Sequence, residues 1–260
     1  MRALIIALSA LGILLTANPA KADRRVALVV GNGAYRNAPK LPNAPLSAKA
    51  MAALLRNIGI DVVDGYDLTR DAMTARLLAF GKKAEGADLA LFYYAGQGIE
   101  VGGTEYLLPI DADIKSEMDV KLGSAVNFDL TIDQTMGDAK VKLVFLDASR
   151  NDPIPASAKA TRRVSVQSGL AEMKLPEGLL IGYATAPGEV APDGKVGSIR
   201  PFTRALIAHI AAPGVEIERA MTEVRAQVNE ETNKKQLPWG STNNFPGEIY
   251  LVPSAPALAK

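Results

Sequence analysis

Two apolar runs of strand length constrain the fold of this sequence most strongly, because each breaks abruptly into small and polar residues. The first run covers 89–95 and leads to Gln97, and the second covers 143–146 and leads to Ser149. Apolar runs without polar alternation are typical of parallel strands that are buried on both faces. Open α/β sheets place their functional sites where such strands end. If the two strands are neighbours, Gln97 and Ser149 face one crevice.

The rest of the sequence alternates between strand-like and helix-like segments, which favours a mostly parallel sheet with helices on its faces. Further strands are predicted at 25–30, 60–66 and 179–183, with a closing edge strand at 247–252, and the strand of the second apolar run is predicted to cover 141–146. Helices are predicted at 47–58 with Ser47 as the cap, from 67 or 69 to 84, and at 129–136, 201–210 and 216–231. A hairpin turning at Gly102-Gly103 follows the first apolar run.

The length of 260 residues suits one α/β domain with a full core. We expect this domain to cover 23–252, with a long mobile loop at about 152–177 and a short tail at 253–260.

The amino terminus reads as a secretory leader. Arg2 precedes an apolar run at 3–15 and a small-residue cleavage pattern at 18–22. The predicted signal peptide therefore covers 1–22, and the mature protein is expected to be periplasmic or secreted without stable membrane insertion. A retained anchor is the weaker alternative, because the apolar run is short for a bilayer.

The composition excludes several kinds of site. Removing the leader takes away two of the 29 basic residues, which leaves 27 against 28 acidic residues and gives no electrostatic case for nucleic acid as a partner. The sequence has no cysteine, which excludes disulfides and a cysteine nucleophile. Its one histidine, His209, excludes a metal site built from several histidines. No cofactor is expected. Asp111 and Asp113 are a weak sign of a cation loop, and calcium dependence stays open.

Five short motifs together resemble the caspase family of peptidases, in particular the bacterial orthocaspases that are related to metacaspases. They are RVALVVGN at 25–32, YYAGQG at 93–98, LDASR at 146–150, YATAPG at 183–188 and PFTRAL at 201–206. Caspases carry their cysteine in a Gln-Ala-Cys-Arg-Gly type of turn and their histidine about 50 residues earlier. Here Gln97 lies 52 positions before Ser149. The resemblance implies a caspase-haemoglobinase-like three-layer sandwich, with a mostly parallel central sheet flanked by helices.

Both reacting positions of the family are changed in this sequence. The resemblance places Gln97 at the catalytic histidine and Ser149 at the catalytic cysteine. A serine hydroxyl needs a base to accept its proton, and a glutamine amide has no useful pKa for that task. Losing nucleophile or base costs a hydrolase about 10⁶ in turnover, so we expect no meaningful protease activity. His209 is expected on a helix face or in a C-terminal turn, and a serine-lysine dyad stays open.

The substrate side of the cleft is partly kept. The resemblance places Asp147 and Ser47 at two acids that accept a basic P1 side chain, of which only the first is still acidic. Ala184 and Thr185 are expected to line the same cleft. Because glutamine and serine are close in size to histidine and cysteine, we expect the pocket to keep its shape and to bind a peptide or protein with basic residues.

Three functions stay open from the sequence. The first is an exported pseudoprotease that binds a peptide or acts as a partner or decoy for an active relative. The second is an active endopeptidase that cuts after arginine or lysine through an unrecognised base, or such an enzyme inactivated by engineering. The third is a structural interaction domain whose cleft is vestigial.

Overall fold

The structure is a computed structural model, and it describes residues 23–149, 176–186, 189 and 191–254. The predicted signal peptide at 1–22, nearly all of the predicted loop at 152–177 and the end of the predicted tail lie outside the described residues. Across the described ranges, no helix combines the length and the apolar character needed to cross a membrane.

The described elements alternate between strands and helices along the chain. The strands are β1 (Arg25–Gly31), β2 (Asp61–Tyr66), β3 (Leu89–Val101), β4 (Thr104–Leu107), β5 (Val126–Asn127), β6 (Val141–Ser149), β7 (Leu179–Tyr183) and β8 (Trp239–Asn243). The helices are α1 (Asn43–Asn57), α2 (Arg70–Ala84), a short α3 (Glu117–Asp119) followed by a π-helical turn (Val120–Ser124), α4 (Phe128–Met136), α5 (Pro201–His209) and α6 (Ile217–Glu231).

The central sheet has the strand order β2-β1-β3-β6-β7-β8. The first five of these strands are parallel, and β8 pairs with β7 in the antiparallel direction. Beyond this sheet, β3 continues into the predicted hairpin with β4. The hairpin turns at Gly102 and Gly103, whose φ angles of 62° and 82° are the positive values that a type I′ turn requires.

Helices cover both faces of the sheet and form two separate cores. On one face α1, α5 and α6 bury Met51, Phe202 and Val224 against the strands. On the other face α2 and α4 bury Phe80 and Phe128. A sheet that is apolar on both faces has to be covered on both. The predicted three-layer α/β sandwich with a mostly parallel sheet is therefore confirmed.

The predicted edge strand at 247–252 is wrong. The edge beside β7 is taken by β8, whose side chains are all exposed and therefore show no apolar alternation. Segment 247–252 is irregular and packs against the helical layer. There the Ile217 N–H donates to the Ile249 carbonyl oxygen at 2.9 Å, and Leu251 is buried.

Helix α1 begins at Asn43, four residues before the predicted cap at Ser47. Pro45 is compatible with this earlier start because it lies in the first turn, where the missing N–H has no intrahelical partner. Ser47 is therefore inside the helix and fully buried. The start of α2 is as predicted, since the Thr69 hydroxyl caps it by accepting the Ala72 N–H at 3.4 Å.

Gly31 at the end of β1 allows α1 to lie close against the sheet. A Cβ atom added at this glycine would lie 2.5 Å from Ala48 Cβ and 2.9 Å from the Ala44 carbonyl oxygen, both in α1. Such overpacking would force α1 away from β1, so we expect Gly31→Ala to lower the free energy of unfolding by about 1–3 kcal/mol in urea denaturation.

The matched control for this variant is Gly81→Ala in α2, where the nearest atom to an added Cβ is 3.7 Å away. Because alanine is the better helix former, we expect this control to gain about 0.5–1 kcal/mol. A Gly31→Ala protein as stable as wild type would contradict the close contact between α1 and β1.

Candidate functional site

The carboxyl end of β6 lies beside β3 at the point where β3 passes into its hairpin with β4. Their parallel register pairs Ala95 with Asp147 and Gln97 with Ser149. Neighbouring strands are about 4.8 Å apart in the direction of their hydrogen bonds. The two substituted positions therefore occupy the same rung of the sheet, which is the arrangement that the sequence predicts for one crevice.

Gln97 is completely buried and held by several hydrogen bonds. Its backbone N–H donates to the Tyr35 hydroxyl at 2.6 Å, and its carbonyl oxygen accepts from the Tyr94 hydroxyl at 2.8 Å. Its side-chain Nε2 donates to the Pro39 carbonyl oxygen at 3.2 Å, while Oε1 has no hydrogen-bond partner among the described residues. A neutral amide in this setting can orient a polar group, but it cannot take up a proton from one.

Buried phenols near the end of β3 do not supply the missing base. Burial raises the pKa of Tyr35, and it raises the pKa of Tyr94 and Tyr93 well above the ordinary value. The neighbouring charge of Asp147 adds to the increase at Tyr93. All three hydroxyls are therefore protonated near neutral pH and cannot act as general bases.

Two other candidate bases lie far from the strand ends. His209 is the last residue of α5, and its Nε2 lies 2.8 Å from Gln227 Oε1 on α6. His209 lies nine residues after Arg200, whose side chain contacts Asp147 at the end of β6. Nine residues span about 13 Å along a helix, so the histidine is remote from the end of β6. Burial lowers the pKa of Lys142, but this lysine is near the amino end of β6, about 23 Å along the strand from Ser149. Neither side chain is placed to form a dyad with the serine.

Asp147, the predicted substrate-binding acid, is buried and already paired with an arginine of the same chain. Its Oδ1 lies 3.3 Å from Arg200 Nε, and its Oδ2 accepts a hydrogen bond from the Thr203 hydroxyl. Arg200 Nη1 also donates to the Asp147 carbonyl oxygen at 2.5 Å. A second carboxylate, that of Asp193, lies 3.5 Å from Arg200 Nε. Burial raises the pKa of Asp193, although the charge of Arg200 opposes that increase.

The remaining predicted cleft residues lie around this arginine and the end of β7. Ser47 Oγ accepts the backbone N–H of Arg200 at 3.0 Å. Ala184 directly follows β7, and its N–H donates to the backbone of β6 at 2.9 Å. The Thr185 hydroxyl donates to the Glu189 carboxylate at 3.2 Å. Every predicted site residue therefore lies at or beside the carboxyl end of the sheet. For Ser149 this placement comes from the backbone pairing with Gln97.

Sequence reasoning missed three residues of this site. Arg200 and Asp193 join Asp147 only in the folded chain, since 53 residues separate Arg200 from Asp147 in the sequence. Asn43 was hidden because the helix was predicted to start later. Its Nδ2 donates to the carbonyl oxygens of Asp193 and Lys195 at 2.7 and 2.9 Å, and its Oδ1 accepts the Gly197 N–H at 2.8 Å. No local pattern signals such contacts.

Comparison with known proteins decides the family. The family model of the caspase domain matches residues 24–250, which is most of the chain. The chain belongs to the caspase family. It is also similar to the human mucosa-associated lymphoid tissue lymphoma translocation protein 1, with 38% identity over 95 residues that make up 35% of this chain and 11% of the relative. The mouse homolog is 34% identical over 97 residues, 37% of this chain and 12% of the relative. The match thus covers about a tenth of these curated relatives.

This caspase domain has no cysteine anywhere in its sequence, a composition compatible with a degenerate, protease-like protein. Among the residues that the structure describes, no group of three or more histidine, aspartate or glutamate side chains is arranged to hold a metal ion. The site therefore consists of a glutamine, a serine and a buried arginine with two carboxylates.

The Asn43 side chain fixes the loop that carries Asp193, and its loss tests that role. We expect Asn43→Ala to lower the free energy of unfolding by about 2–4 kcal/mol, because three part-buried hydrogen bonds of a fully buried side chain are lost. Hydrogen exchange at the Gly197 amide should accelerate by at least an order of magnitude, since this amide loses its acceptor.

The control is Asn37→Ala, which removes one exposed hydrogen bond to the Ala112 carbonyl oxygen and should change stability by less than about 0.5 kcal/mol. Unchanged exchange at Gly197 in the Asn43→Ala protein would show that the loop is held by other contacts.

Proposed function

We propose that this chain is an exported caspase-like pseudoprotease of the orthocaspase type, which binds a peptide or protein partner without hydrolysing it. The observation that carries the proposal is the shared rung of Gln97 and Ser149 at the ends of β3 and β6. The two residues stand where caspases need a base and a thiol nucleophile. Neither residue can perform the corresponding step.

The chemistry of hydrolysis fails at proton transfer. The Ser149 hydroxyl is a weak nucleophile unless a neighbour removes its proton, and Gln97 is a buried neutral amide. The loss of such a pair costs about 10⁶ in turnover, and only about 10³–10⁴ over water survives from binding and oxyanion stabilisation. Hydrolysis at that level does not sustain a protease function.

Binding is supported by what the domain keeps. The strand ends retain the parallel register of β3 with β6, and α1 and α5 are anchored around them through Ser47 and Arg200. Protein folds often outlast the chemistry of their sites. A role as partner or decoy for an active relative uses this retained shape. The leader at 1–22 and its cleavage pattern support export to the periplasm or the medium.

Absence of turnover is the first expected result. Purified wild-type protein is incubated with fluorogenic peptides that end in basic or uncharged residues, alongside the double variant Ser149→Cys, Gln97→His. We expect no turnover above buffer from wild type, because no described residue near Ser149 can serve as its base, and measurable turnover from the double variant on uncharged peptides. Turnover by wild type would instead support an active peptidase with an unrecognised base.

Peptide binding at the strand ends is the second expected result. A displayed random peptide library is selected on wild-type protein, and the enriched peptide is titrated against two charge-reversal variants. Glu189→Arg changes the exposed residue that contacts Thr185, whereas Glu223→Arg changes an equally exposed residue on α6. We expect Glu189→Arg to change the affinity about tenfold, in the direction set by the charge of the enriched peptide, and Glu223→Arg to leave it unchanged.

Failure to enrich any peptide, or equal binding by both variants, would contradict the binding role of the cleft. That result would favour a structural interaction domain whose cleft is vestigial.

A further inference from the structure

Arg200 is the largest of the fully buried side chains, and its guanidinium lies in the acidic pocket at the end of β6. From this we infer that Arg200 is an internal ligand of that pocket and closes it to basic side chains. The inference rests on the proposed function and also assigns the chemistry of the partner. Because the pocket is closed to basic side chains, a peptide bound at these strand ends presents an uncharged or acidic residue there.

The contacts of Arg200 are those that a guanidinium ligand would make. Its Nη1 donates to the Asp147 carbonyl oxygen at 2.5 Å, and its Nε lies 3.3 Å from the Asp147 carboxylate. The same Nε lies 3.5 Å from the Asp193 carboxylate. A planar guanidinium engages carboxylates and carbonyls with several donors at once. Among the described residues, only Nη1 of this guanidinium has a hydrogen-bond partner, and Nε and Nη2 are held beside the two carboxylates by charge and proximity. The chain itself thus places a guanidinium in the space between the two acids.

The internal ligand is held in place by its backbone as well as by its side chain. The Arg200 N–H donates to Ser47 Oγ at 3.0 Å, and its carbonyl oxygen accepts the Arg204 N–H at 2.9 Å in the first turn of α5. Pro201 restricts the backbone at the same point. The backbone of Arg200 is therefore fixed at the start of α5, and displacing its buried guanidinium would break the hydrogen bond to Asp147 and leave two carboxylates without their cation.

The balance of charge also opposes a second cation. Asp147 and Asp193 are both buried or half-buried carboxylates, and Arg200 already stands between them. An incoming arginine or lysine would place a second positive charge beside this guanidinium in a medium that screens it poorly. Ser47 contributes no charge, although the family resemblance expects an acid at that position. Arg200 offsets one of the two carboxylate charges and fills the space between them, so a basic residue meets less negative charge here than the two acids alone would offer.

Emptying the pocket should convert it into a site for an amidinium ion. Benzamidine is titrated by calorimetry into wild-type protein, Arg200→Ala and the double variant Arg200→Ala, Asp147→Asn, with neutral benzamide as the matched control ligand. We expect no saturable binding to wild type, millimolar or tighter binding to Arg200→Ala, and about a tenfold weaker affinity once Asp147 is neutralised. Benzamide should bind none of the three proteins.

Saturable benzamidine binding to wild type, or a folded Arg200→Ala protein that ignores benzamidine, would overturn the inference. If Arg200→Ala folds poorly, refolding with benzamidine but not benzamide should recover soluble protein, and recovery by neither ligand counts against an amidinium-shaped pocket.

A second measurement needs no cavity variant. The Nε–H signal of Arg200, assigned by its loss in Arg200→Lys, should persist in deuterated water for hours, and immediate exchange would overturn the burial on which the inference depends.

The two proposals fail separately. Peptide turnover by wild type would overturn the pseudoprotease function and leave the closed pocket intact. Benzamidine binding by wild type would overturn the closed pocket and leave the absence of hydrolysis untouched.

Discussion

One buried guanidinium ties together the elements at the carboxyl end of the sheet. Arg200, at the start of α5, contacts Asp147 at the end of β6, Ser47 in α1 and Asp193 in the preceding loop. Removing one partner of a buried ion pair costs about 3–5 kcal/mol, because the other charge is left uncompensated. The strand end, two helices and the loop are therefore held in one arrangement. The geometry of this end of the sheet therefore depends on the contacts of Arg200.

Two changes at different places point to the same functional outcome. At Gln97 and Ser149 the chain lacks the groups that move a proton and attack a carbonyl. At Asp147 the carboxylate that the family resemblance assigns to a basic substrate is occupied by Arg200. We propose that the first change removes the reaction and that the second removes the recognition of arginine or lysine. A domain with both changes keeps the caspase fold as a scaffold for contacts of another kind.

Much of the fold could be predicted because buried parallel strands leave a strong apolar signal, as in β3 and β6. The same signal did not predict the edge strand β8, because all of its residues are exposed and carry no apolar pattern. The apolar residues near Leu251, which suggested an edge strand, pack against the helices instead. At the site, Gln97 and Ser149 could be placed because each follows an apolar run of strand length, although both lie within their strands in the structure. Arg200 could not, since an arginine before a helix is usually solvated and its acidic partners are brought to it only by tertiary folding.

The central proposal is that Ser149 is not a nucleophile, because none of the described candidates, Gln97, His209, Lys142 and the buried tyrosines, can act as its base. The most direct measurement is intact-mass spectrometry after treatment with a fluorophosphonate, a reagent that phosphonylates activated serines, with a working serine protease as positive control. The account predicts that the wild-type chain keeps its unmodified mass while the control is labelled completely. A stoichiometric adduct that maps to Ser149 would contradict the account, because it would show that a base unrecognised in the fold activates this hydroxyl.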